Sequence, residues 1–577
     1  MYGFCIMLTL KGPAPLLLKE SQRCDLFQGD LWQPDARALD RIGLETALRN
    51  HVLPLTPAGA VTPVAAASKT GFLRVEKHLR ALLGPVVCRI ATKTAIEAEL
   101  LALRQAHLVR RAEQRTPISE SCRGWSTGKM ALLVLSLMLL VLVCLIRAPH
   151  ILVWVFLSWA VLTLVAVTGL RTTAAAVHLL HSRRMTCQKS NQQALTPPPR
   201  YLPRVSLLVP LYKERDIAAR LVRRLVALDY PRDRLEVALI LEWGDHTTET
   251  ALRRANLPDW MRIVRVPPGD LRTKPRAMNY AMDFLNGEII GIYDAEDAPD
   301  RDQLMKVVTA FDHAPQNVAC LQGALDFYNA PTNLLTRCFA IDYAVWFRLV
   351  LPGFERLGLV LPLGGTTVFF RRHALEALGR WDAHNVTEDA DLGLRLARRG
   401  YRCAFLPTVT EEEATTTITA WIRQRSRWIK GYAMTWAVHM RDPLRLYGEL
   451  GPLRFASVQI LFLGTLSQFL LAPVLWSFWL ILFGLPHPIQ QILPQSGIMA
   501  LGGLFFVSEV LTVLTAAMAV SRAKHRWLIK WVPLMHLYYP LAAVASWKAF
   551  AEMFTRPFYW DKTAHGKTPD GVIARST

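Results

Sequence analysis

The chain contains no Cys-x-x-Cys pair. Its nine cysteines are scattered and odd in number, so neither a disulfide framework nor a zinc site of paired cysteines is expected, and a reducing compartment is the simpler setting. Acidic residues are also in short supply: 46 Asp and Glu stand against 67 Lys and Arg, for a formal net charge of +21. No RNA- or DNA-binding signature accompanies that excess, and the basic residues are spread along the chain, which argues against nucleic acid as a partner. A cytoplasmic membrane face with anionic lipids, or an anionic nucleotide substrate, accounts for the charge instead. The apolar stretch at residues 1–10 is short and carries no basic n-region. That stretch does not read as a secretory signal, and Met1 is expected to stay cytoplasmic.

Charge is missing altogether from residues 130–146 and 151–170, and each run is long enough to cross a hydrocarbon core of about 30 Å as a helix. Arg123 and Lys129 precede the first run and Arg171, Arg183 and Arg184 follow the second, so 130–170 reads as a transmembrane hairpin with both ends cytoplasmic. Further apolar stretches occupy 455–485, 498–520 and 531–547. Arg522, Lys524 and Arg526 read as internal, and so do Lys548, Arg556, Lys562 and Lys567 of the tail. Four full spans and a re-entrant last segment, helped by Pro533 and Pro540, satisfy that charge pattern. Glu509 lies inside one of these runs and faces either a protein or water-filled interior or a partner on a neighbouring helix. A hydrophobic content of 52% and a mean hydropathy of +0.21 fit a chain that is part membrane and part soluble.

The soluble part is predicted at 200–440. Short apolar, β-branched stretches at 205–209, 235–241, 262–266 and 288–293 alternate with helical patterns, which predicts a doubly wound mixed α/β sheet with ligands beyond the carboxyl ends of its strands. Acidic and basic groups fall at those ends: Lys213-Glu214, Glu242-Trp243-Gly244-Asp245, Thr273-Lys274-Pro275-Arg276 and Asp294-Ala295-Glu296-Asp297. Further on come the glycine loop Leu363-Gly364-Gly365-Thr366, then Thr387-Glu388-Asp389, then Gln424-Arg425-Ser426-Arg427-Trp428. Ahead of the membrane, 35–112 reads as a small α/β module with helix, strand and helix at 72–83, 86–90 and 94–103. Residues 1–34 precede it, 455–548 form a C-terminal membrane region, and 549–577 a cytosolic tail.

This ordered series resembles the membrane-embedded family 2 glycosyltransferases, the branch that includes bacterial cellulose synthase and hyaluronan synthase. The resemblance implies a GT-A-type nucleotide-sugar domain inserted between transmembrane helices of a bacterial inner membrane, with the catalytic domain cytoplasmic. It implies a UDP-sugar donor, Mg2+ or Mn2+, and a glycan or lipid acceptor, with membrane lipid and export or regulatory subunits as further partners. Glu214, Lys274, Asp294 and Arg427 are then donor-binding. Either Glu242 or Asp245 takes the uracil or ribose, since a carboxylate accepts from both. Asp294 and Glu296 are the favoured metal ligands, with Asp297 the alternative if the turn is tight. Asp389 is the general base, and Thr387, Glu388, Gln424 and Trp428 belong to the acceptor side. Asp342, Tyr343 and Trp346 are further acceptor candidates, with core packing the expected role of the two aromatics, while Asp391 is expected to be structural. The motif around 556–566 also resembles the end of a bacterial subset of the family, with no chemical role assigned. The module at 35–112 resembles the N-terminal domain of type II secretion ATPases but lacks a repeated Arg-Leu-Gly signature, which favours docking or regulation over nucleotide binding.

Overall fold

The computed structural model describes residues 33–189, 199–215 and 218–560. The segment 1–32 and the end of the tail, 561–577, lie outside the described residues.

The N-terminal module contains β1 (Val52–Pro54), β2 (Thr62–Ala66) and β3 (Val86–Ile90), in that spatial order, with β1 and β2 antiparallel and β2 and β3 parallel. Ser68 caps the helix Lys69–Leu83 by accepting from the Gly71 amide, and Thr92 caps Lys93–Gln114 through the Ala95 amide. The second helix continues well past 103, because the residues beyond its non-helical position at Arg104 bury Leu108 and Ala112 against neighbouring elements.

The central sheet has eight strands: β4 (Val205–Leu211), β5 (Leu235–Glu242), β6 (Met261–Val266), β7 (Ile289–Ile292), β8 (Ala298–Pro299), β9 (Val318–Phe327), β10 (Val368–Arg371) and β11 (Arg402–Glu412). Their order is β6-β5-β4-β7-β10-β9-β11-β8. The first four run parallel, β10 is antiparallel to both of its neighbours, and β11 lies parallel to β9. Strands covered on both faces read as apolar runs, and β4 illustrates the cause. Leu207 and Val209 pack on the face covered by Ala218–Val226 and Gln303–His313, while Leu208 joins the opposite core with Ile240 and Ile292. Chain order reverses direction across β4, so β5 and β7 diverge there and leave a crevice beyond their carboxyl ends.

Among the described residues, five helical segments are long and apolar enough to cross a membrane: Thr127–Arg147, Pro149–Arg184, Pro443–Leu470, Gln495–Ala519 and Lys524–Thr555. The charge pattern suggested four spans with a re-entrant last segment. Here the last segment is a 3₁₀ stretch, Ala523–Leu534, running into the helix Met535–Thr555, with Pro540 accommodated inside the helix. The expected run at 455–485 is broken after Leu470 into the short helices Ala472–Trp476 and Trp479–Leu482. Its helix starts earlier, at Pro443, and bends at Gly451, where φ is +74°. Glu509 lies 3.0 Å from His536, an ion-pairing partner on the neighbouring segment.

The second apolar helix touches the soluble domain directly. A Cβ added to Gly353 would lie 2.1 Å from the Ala174 carbonyl oxygen, and Arg356 donates to the His178 carbonyl at 3.2 Å. Gly353→Ala forces these backbones apart, with an expected loss of about 1–3 kcal/mol of stability, read as a lowered thermal midpoint in detergent. Gly448→Ala, whose Cβ would meet nothing within 4 Å, is the control and leaves the midpoint unchanged or raised.

Candidate active site

A cavity of about 1120 Å³ opens where β4, β5 and β7 end. Tyr212, Lys213, Glu214, Glu242 and residues 270–273 line one end. Lys274, Asp294, Glu296, residues 364–366 and residues 387–389 occupy its middle. Gln424, Arg425, Arg427 and Trp428 form the far wall, beyond which Arg171, Leu461, Thr465 and Phe469 of the apolar helices complete it. Of the donor, metal, base and acceptor residues expected from the sequence, all but Asp245 and Asp297 line this space.

Asp245 does a different job. Its carboxylate accepts from the Lys213 amide at 2.6 Å, the Thr248 amide at 3.1 Å and the Thr248 hydroxyl at 2.7 Å. It thereby caps the helix His246–Arg254 and holds the turn after β4, where Lys213 has φ +54°. Glu242 is the carboxylate that faces the cavity, as the last residue of a parallel strand. Burial pushes its carboxyl up to about 7, against the pull of Arg276 and Arg272.

Asp297 is likewise drawn into the turn after β7 and is fully buried. One oxygen accepts from the Asp294 amide at 2.8 Å and from the Thr366 hydroxyl, while the other has no hydrogen-bond partner among the described residues. Burial beside Asp294 and Glu296 pushes its carboxyl well above the usual range. The alternative ligand is therefore turned away from the cavity, and Asp294 and Glu296 face it.

Glu412, at the end of β11, was not singled out from the sequence. It lines the cavity with one carboxyl oxygen lacking a partner among the described residues, and burial together with Asp297, Glu296 and Asp294 pushes it well above the usual range. The run Glu411-Glu412-Glu413 at a strand end was the available signal. Among the described residues no group of three or more His, Cys, Asp or Glu is arranged to hold a metal ion. Asp294 and Glu296 are nevertheless hard oxygen donors of the kind that would hold Mg2+ or Mn2+, and the acidic surplus around Glu412 suits an added cation.

Lys274 begins the helix Lys274–Ala281 and donates at 2.7 Å to both Asp294 and the Gly365 carbonyl. Burial alone would disfavour its charge, but Asp294, Glu388 and Asp389 hold it firmly protonated. Asp389 sits in the first turn of Glu388–Arg398, where the helix N-terminus favours negative charge, and its Oδ1 accepts from the Ala390 amide at 2.8 Å. Burial nevertheless raises its carboxyl, and raises Glu388 to about 7. Asp391 points away, bonded to Arg395 at 2.7 Å and His439 at 2.9 Å, as expected of a structural carboxylate.

The helix Ile418–His439 approaches this segment closely: a Cβ on Gly431 would lie 2.1 Å from the Thr387 hydroxyl. Arg425 is locked by Asp342 at 2.6 Å and the Tyr538 hydroxyl at 2.9 Å, and its guanidinium sits 4.9 Å from the Trp428 ring centre. Phe339 and Tyr343 flank the same indole, with ring centres at 6.2 and 6.3 Å. Trp428 is thus a braced aromatic surface. Asp342 orders that brace, and Tyr343 and Trp346 line the cavity. The motif at 556–560 also reaches the cavity. Lys430 donates to the Arg556 and Tyr559 carbonyls at 3.2 and 3.0 Å, and Trp560 lies 5.5 Å from the Arg427 guanidinium carbon.

A buried carboxylate at the cavity wall can take a proton only when ionised. Turnover is expected to fall as pH drops through the raised pKa of Asp389, and Asp389→Asn to lose roughly 10²–10⁴ in turnover together with that acid limb. A pH profile of the initial rate for both proteins checks this.

The family described as "Glycosyltransferase like family 2" matches residues 203–431. A probable glycosyltransferase of Bacillus subtilis, YdaM, is 29% identical over 233 residues, 40% of this chain and 55% of that protein. The beta-monoglucosyldiacylglycerol synthase of a Synechocystis species is 28% identical over 425 residues, 66% of this chain and 84% of the synthase. The chain spans about half the length of several curated relatives it matches. Among solved structures, the mannosyltransferase PcManGT from Pyrobaculum calidifontis, in complex with GDP-Man and Mn2+, superposes with a TM-score of 0.40 at 22% identity, over 67% of this chain and 99% of its own. The ordered motifs, the mixed sheet that carries them and the matched span agree: residues 203–431 form a domain similar to the family 2 glycosyltransferases.

Proposed function

We propose that the chain is an inverting glycosyltransferase of a bacterial inner membrane, moving a sugar from a UDP-sugar to a hydroxyl acceptor at the cytoplasmic face and extending a β-linked polysaccharide processively. The observation that carries this reading is the single cavity in which Lys274, Asp294 and Glu296 lie on one side and Arg427 and Trp428 on the other, with Asp389 between them.

In this reading Glu214 and Glu242 hold the nucleoside end of the donor. Lys274 and Arg427 offset the charge of the diphosphate as it departs. Asp294 and Glu296 would hold Mg2+ or Mn2+, which supplies further neutralisation of both phosphates. Asp389 takes the proton of the acceptor hydroxyl while that oxygen attacks the anomeric carbon from the face opposite the diphosphate, so one C–O bond forms as the other breaks and the configuration inverts. Glu388, Gln424 and Trp428 receive the acceptor, with the indole face against a sugar ring. A second reading, transfer of one sugar to a lipid, is favoured by the apolar residues Leu461 and Phe469 at the membrane end and by the likeness to a diacylglycerol glycosylating enzyme. The module at 35–112 is a docking or regulatory unit, and nucleic acid has no part in the reaction.

UDP release from a panel of UDP-sugars by the detergent-purified chain, with and without Mg2+ or Mn2+, tests the reading. Metal-dependent release with one donor, absent in Asp389→Asn, is expected. Product length then separates polymer from single transfer. Failure to bind any UDP-sugar would instead mark the domain as a catalytically inactive scaffold.

A further inference from the structure

The N-terminal module reaches the donor end of the cavity from behind. Glu113, in the last turn of Lys93–Gln114, is 7% exposed and accepts from Arg276 Nε at 2.9 Å, from the Asp270 amide at 3.0 Å and from the Leu271 amide at 3.5 Å, all on Oε1. Arg276, 1% exposed, also donates to the Pro267 carbonyl and reaches Glu242 at 3.4 Å. One guanidinium therefore lies between a carboxylate of the module and the carboxylate that faces the cavity. The backbone is fitted to this contact, since a Cβ on Gly269 would lie 2.3 Å from Glu113 Oε1. Asn279, on the helix that begins with Lys274, adds a bond to the Ala112 carbonyl at 2.9 Å.

An ion pair this deeply buried is a poor means of gluing two units together, because desolvation offsets most of its attraction. What it supplies is direction. Asp270, Leu271 and Arg272 line the cavity, and two of their amides are oriented by Glu113. Arg276 is aimed at Glu242 by the same carboxylate. Glu97 offers an internal comparison. It pairs with Arg262 at 3.2 Å across the same interface, but neither residue lines the cavity.

We propose that Glu113 is a positioning residue for the nucleotide donor, so that the N-terminal module completes the donor site through the 267–272 loop and the Arg276–Glu242 contact. This rests on the assignment of that end of the cavity to the donor nucleotide. It makes the module part of the substrate site, and anything that displaces the end of its long helix changes donor affinity with no contact to the sugar or the acceptor.

The test uses the full chain in detergent, with UDP and Mg2+ as the titrated probe and the UDP-sugar that supports turnover for kinetics. Glu113→Ala and Glu113→Gln are expected to weaken UDP binding about 10-fold, the scale of losing a buried hydrogen bond to a charged group. KM for the donor rises in proportion, kcat changes less than about threefold, and Glu113→Asp recovers part of the loss. Glu97→Gln lowers the thermal midpoint while leaving UDP affinity and KM unchanged. If Glu113 and Glu97 variants alter stability alike and neither alters UDP affinity, or if kcat falls with KM unmoved, the proposal is overturned and Glu113 is only an interface residue. If the wild-type chain binds no UDP, the donor assignment itself fails and takes the proposal with it, a result distinct from tight binding that Glu113 substitutions leave intact.

Discussion

Lys274 is a buried cation set among carboxylates, and much of the site depends on its charge. It binds Asp294 and the Gly365 carbonyl directly, and its field reaches Glu388 and Asp389. Burial drives Glu388 and Asp389 toward their neutral forms, against the pull of that cation. With one cation among them they form a site in which charge is present but only partly compensated, a condition that suits the diphosphate and cation of the proposed reaction. The same lysine joins the turn after β7 to the glycine loop before β10, so the polar centre of the domain and its backbone closure share a single side chain.

Around that centre each wall comes from a different part of the chain. β5 contributes Glu242, the Glu388–Arg398 helix contributes Asp389, and the Ile418–His439 helix contributes Arg427 and Trp428. Close backbone approaches hold them in register: Gly431 leaves room for Thr387, and Gly353 for Ala174 of an apolar helix. The aromatic wall is braced from the membrane side, because Arg425 is held by Asp342 and by Tyr538. The domain and the apolar helices are therefore one packed unit at this end of the cavity, where Arg171, Leu461, Thr465 and Phe469 complete its wall.

The N-terminal side is sewn on by polar contacts of the same kind. Ser121 and the Cys122 amide both bind Asp382, five residues ahead of Thr387, while Glu113 binds Arg276 and the loop before Lys274. These anchors fall directly behind the Glu242 end of the cavity and the Thr387–Asp389 segment rather than on a remote surface. Geometry near the chemistry is thus set by partners that never enter the cavity.

Much of this was legible in the sequence because local physics dictates it. Apolar β-branched runs named the four parallel strands, since strands covered on both faces have no polar side to alternate with, and the charge-free runs 130–146 and 151–170 named the first two membrane-length helices. The ordered series of acidic and basic motifs, through the family it resembles, marked Lys274, Asp294, Asp389, Arg427 and Trp428, all of which line one cavity. Strands β9, β10 and β11 were less legible, since their pairing is set by distant partners. Spacing also could not say which of several neighbouring carboxylates faces the ligand. Asp245 and Asp297 are claimed by backbone amides of their own turns, whereas Glu412 is carried into the cavity by the parallel pairing of β11 with β9. The sequence by itself determined which chemistry is present and in what order. Only the tertiary structure decided which carboxylates are spent on holding the backbone and which remain turned toward the cavity, because that choice depends on hydrogen-bond donors brought in from elsewhere in the chain.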